Sequence, residues 1–138
     1  LTRPEPVASM LDVGCGTGAL AILAAQLGVD RVRAVDISDA AVEATRHNME
    51  LNDVVAAIDV DTTPVEQIAG DYDIVAANIL APALISMASD LRRLVRPGGA
   101  LVISGILADR HDHVLEALHP LSPAESLTLD GWVSIVLR

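Results

Sequence analysis

Short runs of β-branched and aliphatic residues alternate along this chain with alanine- and leucine-rich segments of helical length. Five such runs predict strands, over residues 10–13, 31–35, 54–60, 72–77 and 100–104. The segments between them predict helices over residues 18–27, from Ser38 or Asp39 to 51, over 82–95 and over 109–118. Strands separated by helices pair in parallel and carry helices on both faces of the sheet, so the pattern predicts an α/β fold.

The end of the chain follows a different pattern. Residues 126–129 and 132–137 predict two strands, and Asp130-Gly131 between them is a favoured two-residue hairpin turn. Residues 96–99 (RPGG) predict a turn before the fifth strand, because proline presets φ and glycine accepts positive φ. We therefore expect a single domain over residues 1–138, with a mostly parallel seven-stranded sheet that ends in a C-terminal antiparallel hairpin.

The composition excludes several classes of protein. With 51% hydrophobic residues and a mean hydropathy of +0.45, the chain is not intrinsically disordered. One Trp, one Tyr and no Phe leave no stacking platform for single-stranded nucleic acid. The formal net charge is −10, and an acidic surface repels phosphate backbones and anionic membranes. We therefore expect basic or neutral partners, with no direct nucleic-acid or membrane partner.

The sequence also bears on the compartment. The single cysteine, Cys15, cannot form an internal disulfide, which fits a reducing environment. Pro4 and Pro6 stand where a signal peptide needs an apolar helix, and the most apolar stretch, residues 74–88, is too short to span a bilayer. We expect a cytoplasmic protein. Because the chain begins with Leu1 rather than Met, we also expect a processed chain or an excised domain.

The densest motif is LDVGCGTG at residues 11–18, directly between the first predicted strand and the first helix. Its three glycines let the backbone bend sharply and approach a ligand without a Cβ in the way. In an open parallel sheet, ligands bind beyond the carboxyl ends of the strands. The motif therefore predicts a ligand-binding loop; the alternative is a tight strand-to-helix turn that binds nothing.

Spacing separates the possible ligands. A dinucleotide-binding loop has the pattern G-x-G-x-x-G, whereas this loop reads G-x-G-x-G. Asp36 ends the second predicted strand, where a carboxylate can accept hydrogen bonds from both hydroxyls of a ribose. Its alternative role is to start the next helix. An NAD-dependent oxidoreductase is the weakest reading, because the third glycine comes one residue early and no proton donor is evident.

These segments resemble a known family. LDVGCGTG and AVDIS (residues 34–38) resemble the first two motifs of class I S-adenosylmethionine-dependent methyltransferases. Further on, YDIVAANILA (72–81), RPGGALVISGIL (96–107) and GWVSIVLR (131–138) resemble the catalytic domain of the PrmA family, bacterial methyltransferases that act on a large-subunit ribosomal protein. The resemblance covers nearly the whole chain. It implies a Rossmann-like class I methyltransferase fold, with S-adenosylmethionine as cofactor and S-adenosylhomocysteine as product.

The resemblance also implies two groups of site residues. The implied cofactor-binding residues are Asp12, Gly14, Cys15, Gly16, Thr17, Gly18, Asp36, Ile37, Asp61, Thr62 and Asn78. The implied catalytic residues are Asn78, Ile79 and Leu80. Within the first group, Asp12 and the glycines of the loop (Gly14, Gly16 and Gly18) would surround the methionine moiety. Asp36 would hold the ribose hydroxyls, and Ile37 would pack on the adenine. Asp61 and Thr62 would contact the adenine edge, with Asp59 as the alternative in that loop.

The implied reaction needs few residues, because the sulfonium of the cofactor is already activated. The protein must align an amine lone pair behind the methyl carbon, and such positioning is worth roughly 7–11 kcal/mol. The implied activity is methyl transfer to a lysine side chain or an α-amino group of a basic ribosomal protein. The resemblance also implies an N-terminal substrate-recruiting domain, which we do not expect within these 138 residues.

Two other readings of the function stay open. One is a methyltransferase that acts on another amine or a small molecule, although Asn78-Ile79-Leu80 lacks the following Pro-Pro-aromatic segment used for planar amides. The other is a non-catalytic module that binds the cofactor without an acceptor site. No metal site is expected. The run at residues 109–113 (DRHDH) reads as a solvated helix face, because positions i and i+2 do not share a face, and Cys15 reads as a small packing residue.

Overall fold

Seven strands form one sheet in the order β3-β2-β1-β4-β5-β7-β6. The computed structural model describes residues 5–138. The strands are β1 (Ser9–Val13), β2 (Arg31–Val35), β3 (Ile58–Asp61), β4 (Tyr72–Asn78), β5 (Val95–Leu107), β6 (Pro123–Leu129) and β7 (Trp132–Leu137). Strands β1 to β5 pair in parallel, whereas β7 pairs antiparallel with both β5 and β6. The predicted mostly parallel seven-stranded sheet with a C-terminal hairpin is confirmed.

Five helices cover the sheet. They are α1 (Ala19–Gln26), α2 (Asp39–Leu51), α3 (Ala81–Ser86), α4 (Ala88–Leu94) and α5 (His111–Leu118). Ser38 begins α2, because its hydroxyl accepts a hydrogen bond from the backbone N–H of Ala41 at 3.3 Å. No helix in residues 5–138 is long and apolar enough to cross a membrane.

Two apolar cores lie on opposite faces of the sheet. One contains Leu11, Val75 and Leu101 from the strands together with buried residues of α3, α4 and α5. The other contains Val32 and Ala34 with buried residues of α1 and α2. Alternate residues of the central strands face the two cores, so β1 is buried along its whole length. This double burial explains why the central strands read as continuous apolar runs.

Several element boundaries differ from the predictions. The predicted strand over 54–60 is a 3₁₀ turn, Val55–Ala57, followed by β3, which starts at Ile58. The predicted helix over 82–95 is two helices, separated at Met87. The predicted helix over 109–118 begins with a 3₁₀ turn, Ala108–Arg110. Finally, β6 starts at Pro123, three residues earlier than predicted.

These differences have local causes. The N–H of Val54 donates to Met49 O, and the N–H of Ala57 donates to Val54 O, so this apolar run closes the end of α2 before it can pair with β2. At the break between α3 and α4, the Ser86 hydroxyl donates to Ala83 O and competes with the helical hydrogen bonds. Hydrophobic periodicity and secondary-structure propensity do not reveal single hydrogen bonds of this kind.

The predicted turn over residues 96–99 is part of β5 in the structure. Tyr72 of β4 pairs with Val95, and Ile74 pairs with Ala100, so residues 96–99 bulge out of the ladder between two paired positions. The left-handed φ of 83° at Gly98 makes this excursion possible. The strand therefore begins five residues earlier than the sequence predicted.

The parallel strands end at one edge of the sheet. Val13 pairs with Val35 on one side and with Ala77 on the other, and Val35 pairs with Asp61. The chain segments that follow β1, β2, β3 and β4 therefore leave the sheet next to one another. This edge holds the candidate site.

Candidate active site

A cleft opens at the carboxyl edge of the strands. Its volume is about 620 Å³, within the range of small-molecule sites. It is lined by Val13, Gly14, Val35, Asp36, Ile37, Thr63, Pro64, Val65, Glu66, Asn78, Ile79, Ala83 and Met87. The sequence-predicted residues that line the cleft are thus Gly14, Asp36, Ile37, Asn78 and Ile79, which come from the segments after β1, β2 and β4.

The glycine loop turns tightly over the end of β2. The backbone N–H groups of Gly14 and Cys15 both donate to Val35 O, at 2.9 and 3.0 Å. Gly14 has a φ of 73°, and a Cβ there would lie 2.5 Å from Ile79 Cγ2. Only glycine combines this backbone conformation with this close approach. The loop after β1 and the segment after β4 are therefore in direct contact across the cleft.

Helix α2 supports the same loop from behind. The hydroxyl of the fully buried Thr45 donates to Gly16 O at 3.0 Å, and the amide nitrogen of Asn48 donates to Thr17 O at 2.9 Å. Thr45 Oγ1 also lies 3.4 Å from the buried Cys15 sulfur. These two supporting residues were not predicted from the sequence. A signal was present, because Thr45 is a polar residue on the apolar face of α2.

Asp36 joins the glycine loop to the turn after β2. Its Oδ2 accepts a hydrogen bond from the N–H of Gly16, and its Oδ1 accepts one from the N–H of Ser38, both at 3.0 Å. Each carboxylate oxygen keeps a further lone pair for a ligand donor. Next to it, Ile37 is 89% exposed and lines the cleft, so its side chain offers apolar surface to a ligand.

Asp12 lies behind the loop and does not line the cleft. It is only 2% exposed, and burial raises the pKa of its carboxyl from 3.8 to about 6. The backbone N–H of Ala21 opposes this rise, and the charge of Asp36 adds to it. Two carboxylates therefore stand near the glycine loop, and they favour a positively charged ligand.

The loop after β3 holds two of the predicted adenine-edge residues, Asp61 and Thr62. The Asp61 carboxylate pairs with Arg33 of the neighbouring strand β2 at 3.2 Å. Its Oδ1 also accepts the N–H of Thr63 at 2.8 Å, while Thr62 is exposed. Burial raises the pKa of Asp61, but the hydrogen bonds from Thr63 and the charge of Arg33 outweigh it, so the net pKa is lowered. The structure brings neither Asp61 nor Thr62 to the cleft; residues 63–66 line it instead.

The alternative in that loop, Asp59, lies on β3 opposite Arg33 of β2. It lines a separate groove of about 660 Å³ that wraps around the β3 edge, and Asp61 lines the same groove. Arg31 in this groove places its guanidinium 4.8 Å from the centre of the Tyr72 ring. Neither Asp59 nor Asp61 shares the cleft with the glycine loop.

The predicted acceptor segment, residues 78–80, begins where β4 ends. Asn78 is the last residue of β4 and is exposed, and Leu80 begins α3 by accepting the N–H of Leu84 at 3.1 Å. Of the predicted site residues, eight do not line the cleft: Asp12, Cys15, Gly16, Thr17, Gly18, Asp61, Thr62 and Leu80. Several of these residues support the site from outside the cleft: the Gly16 N–H donates to Asp36, and the Cys15 sulfur contacts the Thr45 hydroxyl.

The acidic and histidine-rich run spans a 3₁₀ turn and the start of α5. His111 Nε2 lies 3.4 Å from the carboxylate of Asp112, and His111 Nδ1 contacts Ala108 O. In the part of the chain that the structure describes, no group of three His, Cys, Asp or Glu residues could hold a metal ion.

Comparison with known proteins shows which family the chain belongs to. A family model described as ribosomal protein L11 methyltransferase (PrmA) matches residues 2–138. The chain belongs to this family. A PrmA relative from Pelobacter propionicus is 43% identical over 132 residues, and one from Dechloromonas aromatica is 49% identical over 128 residues. Both carry the name ribosomal protein L11 methyltransferase.

The matches cover these relatives only in part. They take in 94% and 92% of this chain, but 43% and 42% of the two relatives. The chain thus spans less than half the length of the curated PrmA proteins it matches. The resemblance that the sequence motifs indicated is confirmed at the level of the family.

Solved structures agree with the fold. The crystal structure of ribosomal protein L11 methylase from Lactobacillus delbrueckii subsp. bulgaricus has a TM-score of 0.91 at 29% identity, covering 97% of this chain and 70% of that one. An RNA methyltransferase from Salinibacter ruber, in complex with S-adenosyl-L-homocysteine, has a TM-score of 0.76 at 17% identity, covering 94% and 78%. The second likeness concerns the fold alone. The predicted Rossmann-like methyltransferase fold is confirmed.

Proposed function

We propose that this domain binds S-adenosylmethionine in the cleft and transfers its methyl group to an amino group of ribosomal protein L11. One observation carries the proposal: in a chain of the PrmA family, Gly14, Asp36 and Asn78 line a single cleft. Gly14 and Asp36 directly follow β1 and β2, and Asn78 ends β4, so the proposed cofactor loop, ribose carboxylate and acceptor segment lie at one edge of the sheet.

The lining of the cleft fits this cofactor. Asp36 has lone pairs for the two ribose hydroxyls, and Ile37, Pro64 and Val65 offer apolar surface to a base. The carboxylates of Asp12 and Asp36 favour a cationic ligand end. When bound, S-adenosylmethionine supplies a methyl group on a positively charged sulfur, which needs no further activation.

The chain's own residues then have to orient the acceptor. We propose that the Asn78 carboxamide and the backbone of Ile79 and Leu80 hold the amine through its hydrogens, with the nitrogen lone pair toward the methyl carbon. The amine must be neutral, and a lysine ammonium has an unperturbed pKa of about 10.4. Proton loss to water precedes the step, a nitrogen–carbon bond forms and the carbon–sulfur bond breaks. Such positioning contributes roughly 7–11 kcal/mol.

The proposal also covers the domain organisation, the compartment and the partner of the protein. We infer that residues 1–138 act as one cofactor-binding domain, that the protein is cytoplasmic, and that the partner is a basic ribosomal protein without direct contact to nucleic acid. The net charge of −10 supports such a partner, because opposite charges speed encounter and suppress anionic competitors. The assignments of Asp61 and Thr62 to the adenine edge stay predictions, and residues 63–66 are the better-placed candidates.

Calorimetric titration tests the cofactor. We expect the 138-residue chain to bind S-adenosylhomocysteine and to show no heat of binding with NAD, the control titrant. Binding of NAD alone would overturn the proposal in favour of an oxidoreductase. Binding of neither ligand would overturn the proposal that this chain alone forms the cofactor site.

A transfer assay tests the acceptor. The chain is mixed with methyl-labelled S-adenosylmethionine and excess ribosomal protein L11, and parallel reactions contain free lysine or no acceptor. We expect label in the ribosomal protein above both controls. Equal labelling of free lysine would favour a small-molecule methyltransferase. Cofactor binding with no transfer to any acceptor would favour a binding module.

A further inference from the structure

Gly105 interrupts β5 beside the acceptor segment. Ile103 of β5 pairs with Ile135 of β7, and Ile106 pairs with Val133, so β5 carries one extra residue between these positions. Gly105 in this bulge has a left-handed φ of 79°. On the other side of β5, Ser104 pairs with Asn78 of β4. A glycine bulge therefore stands next to the end of β4.

The missing side chain of Gly105 leaves room for the Asn78 carboxamide. A Cβ on Gly105 would lie 2.7 Å from Asn78 Oδ1, and 3.4 Å from Ile79 O. A real Cβ does not approach an oxygen to 2.7 Å, so any other residue here displaces the carboxamide. Because Asn78 is exposed, its amide can rotate away without disturbing the core.

We propose that Gly105 is a positioning residue, which sets the orientation of the Asn78 carboxamide in the cleft. The inference rests on the proposed function, in which Asn78 faces the acceptor nitrogen. Gly105 does not line the cleft itself. It acts through Asn78: the bulge brings the Cα of Gly105 against the carboxamide, and the absent Cβ leaves open the one rotamer that the structure adopts. The predicted consequence is loss of transfer without loss of the fold.

A second glycine of the same strand provides a matched control. Gly98 has a φ of 83°, close to that of Gly105, but a Cβ there would meet no heavy atom within 4 Å. Gly105→Ala and Gly98→Ala therefore carry the same backbone strain, and only Gly105→Ala crowds Asn78. We expect similar drops in melting temperature. Because the proposed function assigns the Asn78 carboxamide to the acceptor amine, we also expect dissociation constants for S-adenosylhomocysteine within about twofold of each other.

The two variants should differ in turnover. In the transfer assay, we expect kcat of Gly105→Ala to fall by roughly tenfold to 100-fold below that of Gly98→Ala. The KM for S-adenosylmethionine should stay similar in both. Equal kcat values in the two variants would overturn the inference and leave the proposed function standing. A wild-type chain without cofactor binding would instead overturn the proposed function.

A spectroscopic measurement reads the carboxamide without turnover. In ¹⁵N-labelled protein, the Asn78 side-chain amide gives a pair of cross-peaks, identified by their loss in Asn78→Ala. We expect these peaks to shift in Gly105→Ala and to keep their wild-type positions in Gly98→Ala. Wild-type positions in Gly105→Ala would show that the carboxamide tolerates a Cβ at this site, which overturns the inference.

Discussion

The backbone N–H of Gly16 donates a hydrogen bond to the Asp36 carboxylate, with 3.0 Å between Gly16 N and Asp36 Oδ2. The other carboxylate oxygen accepts the N–H of Ser38 at the same distance. The glycine loop and the turn after β2 are thus joined through one side chain before any ligand arrives. A carboxylate held in this way loses little freedom on binding, and this preorganisation favours affinity.

The first prediction concerns Asp36. Asp36→Ala removes the proposed acceptor for the ribose hydroxyls and frees the Gly16 N–H. We expect S-adenosylhomocysteine to bind more weakly by roughly 1.5–3 kcal/mol, the range for hydrogen bonds to a charged group. Calorimetric titration measures the change.

Asp30→Ala is the control for this experiment. Asp30 is exposed and directly precedes β2, at the opposite end of the strand from Asp36, so the same charge is removed far from the cleft. The control should bind like the wild type. Equal affinities of Asp36→Ala and wild type would refute the placement of the ribose.

The sheet could be predicted because its signals are local and repeated. The central strands β1, β4 and β5 contain apolar runs of suitable length, and the Asp130-Gly131 turn specifies the hairpin between β6 and β7. The element boundaries that were predicted wrongly depend on single interactions. For example, the apolar run after α2 became a 3₁₀ turn because Val54 O accepts the N–H of Ala57. A pattern of hydrophobic residues does not contain that information.

The second prediction concerns the support of the glycine loop. Thr45→Val keeps the shape of the side chain but removes the hydroxyl that donates to Gly16 O at 3.0 Å. We expect the free energy of unfolding to fall by about 1 kcal/mol. Affinity for S-adenosylhomocysteine should fall as well, because the loop is held less firmly. Urea denaturation and calorimetry give the two numbers.

The exposed Thr128 of β6 supplies the matched substitution, Thr128→Val. It changes the same atoms on an edge strand, away from the loop, and should leave affinity unchanged. If Thr45→Val binds as tightly as Thr128→Val, then α2 does not support the cofactor loop.

The candidate site was predictable where it depends on strand ends. Asp36 and Asn78 each end or directly follow a parallel strand, so their meeting at one edge follows from the topology. The loop after β3 was not predictable in the same way. Thr63 lines the cleft, whereas the Asp61 carboxylate pairs with Arg33 of β2. That pair becomes visible only once β2 and β3 are placed side by side.

The third prediction concerns the opposite edge of the sheet. Asp73 Oδ2 accepts the N–H groups of Ala8 and Ser9 at 2.7 and 3.0 Å, and its Oδ1 pairs with Arg96. Burial raises the pKa of the Asp73 carboxyl, but these N–H groups and the charge of Arg96 lower it by a larger amount. The net pKa is therefore below 3.8. A carboxyl whose pKa is lower in the folded state than in the unfolded state stabilises the protein at pH values above its unfolded-state pKa. That stability is lost as the pH falls through the folded-state pKa.

Asp73→Asn should therefore lower the free energy of unfolding at pH 7, by about 1–3 kcal/mol for a hydrogen-bonded charge. The deficit relative to wild type should shrink as the pH is lowered toward 3. Denaturant titrations at several pH values measure it, with the exposed neighbour Asp71→Asn as control. A deficit that stays constant with pH would contradict the ion pair as its cause.

The last prediction concerns Asp12, for which the pH dependence of stability has the opposite sign. Because burial raises the folded-state pKa of Asp12 from 3.8 to about 6, the folded protein holds this proton more tightly than the unfolded chain. Stability linked to Asp12 is then fully present below pH 3.8 and is lost as the pH rises through 6. At pH 7, the buried charge costs up to about 3 kcal/mol.

Asp12→Asn cannot ionise, so it should be more stable than wild type at pH 7.5 and gain little at pH 4. Urea denaturation across this range measures the difference, and Asp39→Asn, at an exposed position in α2, controls for the loss of charge. A difference between Asp12→Asn and wild type that is independent of pH would show that Asp12 titrates normally. Because Asp36 also raises this pKa, Asp36→Ala should lower it. The pH at which the stability linked to Asp12 is lost should then be lower in Asp36→Ala than in the wild type. Such a shift would show that the buried carboxyl of Asp12 is coupled to the Asp36 carboxylate that lines the cleft.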